Sequence, residues 1–165
     1  MSRVLNIYLF LLAALIGIEI SVGALVAPVI FFPASIIGEG ILTHFQSGQL
    51  MTQIFLKFNN ILFTIAVISI IYEILNFTTA KNESFNFKFS TLMLSLINLV
   101  LSAAFVFYFT DYIVDAQNLG VVATQNEAFA QIHKTSEWCM KIMMVAQFIL
   151  FFMRFPRAAK EQAQK

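Results

Sequence analysis

Four apolar stretches, each wide enough to cross a bilayer, occupy most of this chain: Val4–Phe32, Ile54–Phe77, Phe89–Phe109 and Gln131–Phe155. A membrane-spanning helix needs about 20 predominantly apolar residues. Four of them joined by short connections nearly exhaust 165 residues, which leaves room for one bundle and no second domain. The pattern predicts an all-α, integral membrane four-helix bundle, a single transmembrane domain with spans at about 5–27, 52–77, 89–112 and 131–155.

Composition agrees. The hydrophobic share is 59% and the mean hydropathy is +0.82, above the roughly 45–50% apolar share of a soluble domain. Nineteen phenylalanines against one tryptophan suit lipid-facing and helix-packing surface. A net charge of +1 argues against nucleic acid as a partner; the lipid bilayer is the partner this composition implies. Cys139 is the single cysteine, so neither an intrachain disulfide nor a cysteine-based zinc cluster can form.

Arg3, Lys81, Lys88, Arg154, Arg157, Lys160 and Lys165 fall before the first span, between the second and third, or after the fourth. Glu39, Asp111, Asp115 and Glu127 fall in the other two connections, with Lys134 as their basic neighbour. Basic residues mark the cytoplasmic side, so both termini are expected there. A cleaved signal peptide is the competing reading of the first span, from Arg3 to the small-residue run Gly23–Ala27. The apolar run continues through Phe32 and Glu19 interrupts it, which favours a retained helix.

Pro28 and Pro33 are expected to limit the first span, because proline lacks the N–H that a helix interior needs. A short interfacial helix is expected around residues 41–49, ahead of a second span that starts near Thr52. Pro156 is expected to end the fourth span and leave the Lys160–Lys165 tail solvated.

Ionisable residues inside spans cost several kcal/mol in hydrocarbon, roughly 2.5 or more at a helix centre, and normally face the bundle interior or water. His133, Glu137 and Lys141 are spaced four apart on one face of the fourth span. Lys57, Asn60 and Thr64 share a face of the second, Ser95, Asn98 and Ser102 a face of the third, and Glu19, Gly23 and Ala27 a face of the first. Turned inward, these stripes predict a polar core of Glu19, Lys57, Asn60, Asn98, Glu137 and Lys141, with Glu19 paired to Lys57 or Lys141. The bland alternative is that the same groups only fix helix register, since interhelical polar contacts in membranes average about 0.6 kcal/mol. Glu73 is expected to reach Lys81 or Lys88, and Lys134, Trp138, Arg154 and Arg157 to anchor the fourth span at the two interfaces.

His44 and His133 fall on the same, outer side. Two imidazoles on one face are able to hold a haem iron or share a metal, although neither lies in a haem-attachment or metal-ligand motif. Cys139 with Met140, Met143 and Met144 offers soft ligands suited to copper(I). Ordinary packing is the competing reading for both groups. Ser136 follows His133 by three residues, without the strand-turn-helix context of a hydrolase nucleophile.

The run GIEISVGALVAPVIFFP from Gly17 to Pro33 resembles the first span of an uncharacterised bacterial family of small four-helix membrane proteins. The run Phe129 to Arg154 resembles that family's last span, with Phe129, His133 and Ser136 matching its Phe-x-x-x-His-x-x-Ser opening. The family is similar to a eukaryotic transmembrane protein linked to platinum-drug tolerance and, more distantly, to the membrane domain of copper-resistance protein D. The resemblance implies a bacterial inner-membrane protein with both termini inside, and no settled activity. The second span departs from the family pattern, with Phe55-Leu56-Lys57-Phe58-Asn59-Asn60 where arginine and proline are expected.

Three functions follow as expectations. The first is a small protein that binds or transports a metal ion, haem or other small ligand through a periplasm-facing polar core, with no catalytic residue. The second is an accessory or assembly subunit, in contact with membrane-protein partners or with copies of itself. The third is a haem- or porphyrin-dependent oxidoreductase.

Overall fold

The computed structural model describes the backbone of residues 2–163, and the side chains of residues 3–158. No strand occurs among the described residues, and four helices are long and apolar enough to cross a membrane: Arg3–Phe31, His44–Thr79, Phe85–Asn118 and Glu127–Ala158. The chain is a multi-pass membrane protein by that measure. Each span packs against its sequence neighbours and the fourth closes back on the first, which is the up-down-up-down ring expected of short connections. The surface belt is apolar, with Phe10, Phe107 and Phe152 all more than half exposed. In water such a belt would mark an interaction site; on four spanning helices it is the lipid-facing surface.

Two buried apolar clusters fill the ring. Leu15, Phe58, Leu62, Ile65, Phe105 and Met143 meet in one, while Leu5, Tyr8, Leu9, Leu12, Leu150 and Ala158 meet in the other. The second lies at the end of the bundle that carries the two chain termini, here called the inner end.

The helices run further than the prolines and glycines suggest. The first continues past Pro28 to Phe31 because a π turn, Val22–Val26, precedes it. A π turn shifts the backbone hydrogen-bond register, and the proline then sits in the first turn of the α-helix that follows, where its missing N–H costs little. Thr43 starts the second helix with a capping box: its hydroxyl accepts from the Gln46 N–H at 3.2 Å, and its own N–H donates to Gln46 Oε1 at 2.9 Å. That cap sets the start at His44, and Gly48 passes inside the helix, so residues 44–49 belong to the second span and the short separate helix of this connection is Ala34–Ile37. Ser84 caps the third helix, which holds a second π turn at Phe105–Phe109. The fourth helix runs through Pro156 to Ala163. Flanking contacts outweigh the proline there, since Arg154 and Arg157 reach Glu83 and Ala158 packs into the inner cluster. The side chains of Lys160 and Lys165 lie outside the described residues.

Candidate functional site

At the outer end, residues of all four helices line a cavity of about 170 Å³. Apolar side chains make most of its wall, including Phe31, Phe55, Phe105 and Met140, and a few polar groups interrupt them. His44 enters from the first turn of the second helix and His133 from the second turn of the fourth. Each imidazole rests near a phenylalanine: His44 with Phe31 at 5.5 Å between centroids, His133 stacked on Phe129 at 6.0 Å. The far wall is fixed by hydrogen bonds. Gln117 Nε2 donates to Thr52 Oγ1 at 3.0 Å, and Asn59 Nδ2 donates to Thr110 Oγ1 at 2.9 Å. The Thr110 hydroxyl donates in turn to the Phe105 carbonyl at 2.8 Å, which ties the second π turn to the second helix.

Glu137 lies on the rim. Its carboxylate sits 3.5 Å from both His133 Nε2 and Lys141 Nζ. Lys141 is 57% exposed and turns away from the bundle, over the ring of Trp138 at 5.2 Å. The His133–Glu137–Lys141 face therefore looks outward along most of its length and meets the cavity only at its top.

The second helix presents the opposite face to the one expected. Lys57, Asn60 and Thr64 are exposed, while Thr52, Asn59, Ala66, Ser69, Glu73 and Asn76 face inward. The inward set repeats at intervals of three, four and seven over the whole helix, and Thr52, Asn59 and Glu73 find partners on other helices. The Lys57 stripe covers only two turns. The third helix follows expectation: Ser95, Asn98 and Ser102 are buried.

Glu19 is buried, 3% exposed, but neither lysine reaches it. Its partner is Gln147 of the fourth helix, whose Nε2 donates to Glu19 Oε1 at 3.0 Å. Sequence reasoning passed over Gln147, although it is a lone amide in the apolar run from Ile142 to Phe155 and stands seven residues before Arg154 on the same face.

Arg154 is the largest departure. It is 1% exposed instead of anchoring the interface. Its guanidinium grips Glu73 through Nε and Nη2, contacts both oxygens of Glu83 through Nη1 at 3.0 and 3.1 Å, and donates to Thr91 Oγ1 at 2.9 Å. The planar fork of arginine suits such bidentate pairing. Phe87 covers one side of it at 5.0 Å. Lys88, expected near Glu73, instead donates to the Phe77 and Ala80 carbonyls at 3.1 Å each and closes the end of the second helix.

The metal and haem expectations divide on this geometry. Among the described residues no three His, Cys, Asp or Glu side chains converge as a metal site. Cys139 and Met143 are in the core, with the thiol directed at the Leu101 carbonyl at 3.5 Å, and of the four soft ligands only Met140 lines the cavity. Cofactor pockets usually measure about 300–1,000 Å³, so 170 Å³ does not enclose a tetrapyrrole. It is close to the roughly 150 Å³ of an apolar cavity that takes benzene.

The family described as Domain of unknown function (DUF4149) matches this chain over residues 10–122. The match takes in His44 and stops before the fourth span, which brings His133, Gln147 and Arg154. No curated protein and no solved structure matches the chain.

Proposed function

Since this chain belongs to the DUF4149 family of domains of unknown function, we propose its role from the site itself: a small-ligand binding protein of the bacterial inner membrane, with both termini cytoplasmic and the cavity opening at the periplasmic end. The orientation rests on Arg3, Lys81, Lys88 and Arg157 at the inner end against Glu39, Asp111, Asp115 and Glu127 at the outer one. The bacterial inner membrane rests on the resemblance carried by Gly17–Pro33 and Phe129–Arg154. The ligand is a compact, largely apolar molecule of about one aromatic ring, bearing a hydrogen-bonding group that His44 or His133 addresses. The observation that carries this reading is the arrival of two histidines, 89 positions apart in the chain, in one phenylalanine-walled cavity of ring size.

Phenol tests it. A ligand that binds only the folded state at 100 times its Kd adds about 2.7 kcal/mol, or roughly 5–11 °C in Tm for a chain of this size. Phenol should raise the Tm of the purified protein saturably, and Gly48→Leu, which fills the cavity, should abolish the rise. A rise equal in both proteins, or none in either, refutes the proposal.

A second reading, an accessory subunit, is favoured by the outward stripe Lys57, Asn60 and Thr64, which suits a neighbouring membrane protein better than lipid. Extraction in mild detergent with a stoichiometric partner supports it; a monodisperse species of 18.6 kDa counts against it.

A further inference from the structure

Glu19 and Gln147 form a pair that is one hydrogen short. Gln147 Nε2 donates to Glu19 Oε1 at 3.0 Å, and that bond leaves Glu19 Oε2 and Gln147 Oε1 with no partner. Both side chains are at least 97% buried, inside spanning helices where no lipid group can supply a donor. Buried polar groups in native proteins are seldom left unpaired, and here one bonded pair of side chains leaves two acceptors so.

The surrounding charges offer no other remedy. The first helix packs against the second and the fourth. Their buried ionisable groups are Glu73, Cys139 and Arg154; Tyr72 of the second helix is partly buried at the inner cluster, stacked on Tyr8 of the first helix itself. Arg154 is held by Glu73 and Glu83 at the inner end. The inward stripe of the third helix is Thr91, Ser95, Asn98 and Ser102, which carries no charge; Asn98 Nδ2 is a buried neutral donor but makes no hydrogen bond to Glu19 Oε2 or Gln147 Oε1. Lys57, Glu137 and Lys141 turn outward. Among the described residues, then, no inward cation remains to neutralise a carboxylate at this depth, and an unpaired ion there is costly.

A single proton resolves every part of this. We propose that Glu19 and Gln147 constitute an intramembrane proton-binding site, in which Glu19 Oε2 carries the proton and donates it to Gln147 Oε1. The acid and the amide then close a cyclic double hydrogen bond between the first and fourth helices. The ligand is a proton taken from water, and its release leaves a carboxylate that keeps only the amide donor. The site is distinct from the outer cavity, and its test does not depend on phenol binding.

Infrared spectroscopy of the full-length protein in lipid nanodiscs at neutral pH reads it directly. The wild-type-minus-Glu19→Gln difference spectrum should show one carbonyl band of a protonated carboxylic acid. Glutamine at position 19 can still donate to Gln147 Oε1, so this variant should keep its Tm within a few degrees. In Gln147→Leu the acid band should persist but move to the higher frequency of a carbonyl without a hydrogen bond. Carboxylate bands in place of the acid band in the Glu19→Gln difference overturn the proposal. So does an acid band that Gln147→Leu leaves unmoved.

Discussion

Replacing Arg154 by methionine tests whether the inner ion cluster holds the bundle together. The substitution keeps a long apolar side chain against Tyr72 and Phe87 and removes the guanidinium. Glu73, fully buried, then loses two charge-assisted hydrogen bonds, and Glu83 and Thr91 lose their shared donor. Removing one partner of a buried ion pair costs about 3–5 kcal/mol, because the other charge stays behind without compensation. At roughly 2–4 °C per kcal/mol for a chain of this size, Arg154→Met should lower the Tm in detergent by about 6–20 °C. Glu83 is 13% exposed at the inner end and recovers some water, which places the fall toward the lower part of that range. The double substitution Arg154→Met with Glu73→Gln should regain most of the loss, since exchanging a whole buried pair for uncharged groups is often neutral. The assay is thermal unfolding followed by circular dichroism for the wild type, both single variants and the double variant, completing a double-mutant cycle. A fall below about 2 °C, or a double variant whose loss equals the sum of the single ones, refutes the reasoning.

Two further outcomes follow from the second and third helices. Lys57→Leu removes an outward side chain, so its stability should stay within about 0.5 kcal/mol of wild type; a loss of more than 2 kcal/mol by thermal unfolding would return Lys57 to the interior. Thr110→Val keeps the shape and the backbone N–H bond to the Phe105 carbonyl but leaves Asn59 Nδ2 without its partner, which should cost about 1 kcal/mol, near the 0.6 kcal/mol average for polar contacts between membrane helices. The fall of roughly 2–4 °C in Tm should be accompanied by loss of phenol stabilisation, since the cavity wall is then released.

Helix number, the burial of Glu19 and the inward stripe of the third helix are legible in the sequence, because length and hydropathy identify spans and a charge in an apolar run seeks the interior. Which face of the second helix turns inward was not legible from Lys57–Asn60–Thr64 alone. Asn59 and Asn60 are adjacent in sequence and about 100° apart around the helix, so a local stripe chooses between them only if it extends. The stripe through Asn59, Ala66, Ser69, Glu73 and Asn76 does extend, and its small members admit the close packing that membrane helices use. Arg154 misled for a different reason. An arginine two residues before a proline at the basic end of a span reads as an anchor, and its true partners, Glu73 and Glu83, lie 81 and 71 positions away. Partners at such separations leave no local periodicity. The histidines show the same limit, since the sequence puts His44 and His133 on one side of the membrane but only the packing of the helices puts them around one cavity.

The π turn at Phe105–Phe109 makes the third helix two rods in series, coupled through Thr110 and Asn59. A π turn holds one residue more than the α-helical turn it replaces. The helix therefore carries slack: a one-residue deletion within 105–109 can be taken up by reverting that turn to α-helix, leaving Ser95, Asn98 and Ser102 in phase below it and Ile113 and Gln117 in phase above. The same deletion in the second helix, which has no such turn, would rotate either Asn59 or Glu73 out of the ring. Length variation in this fold should accordingly be tolerated at the outer third of the third span and at the corresponding turn of the first, and nowhere else within the membrane.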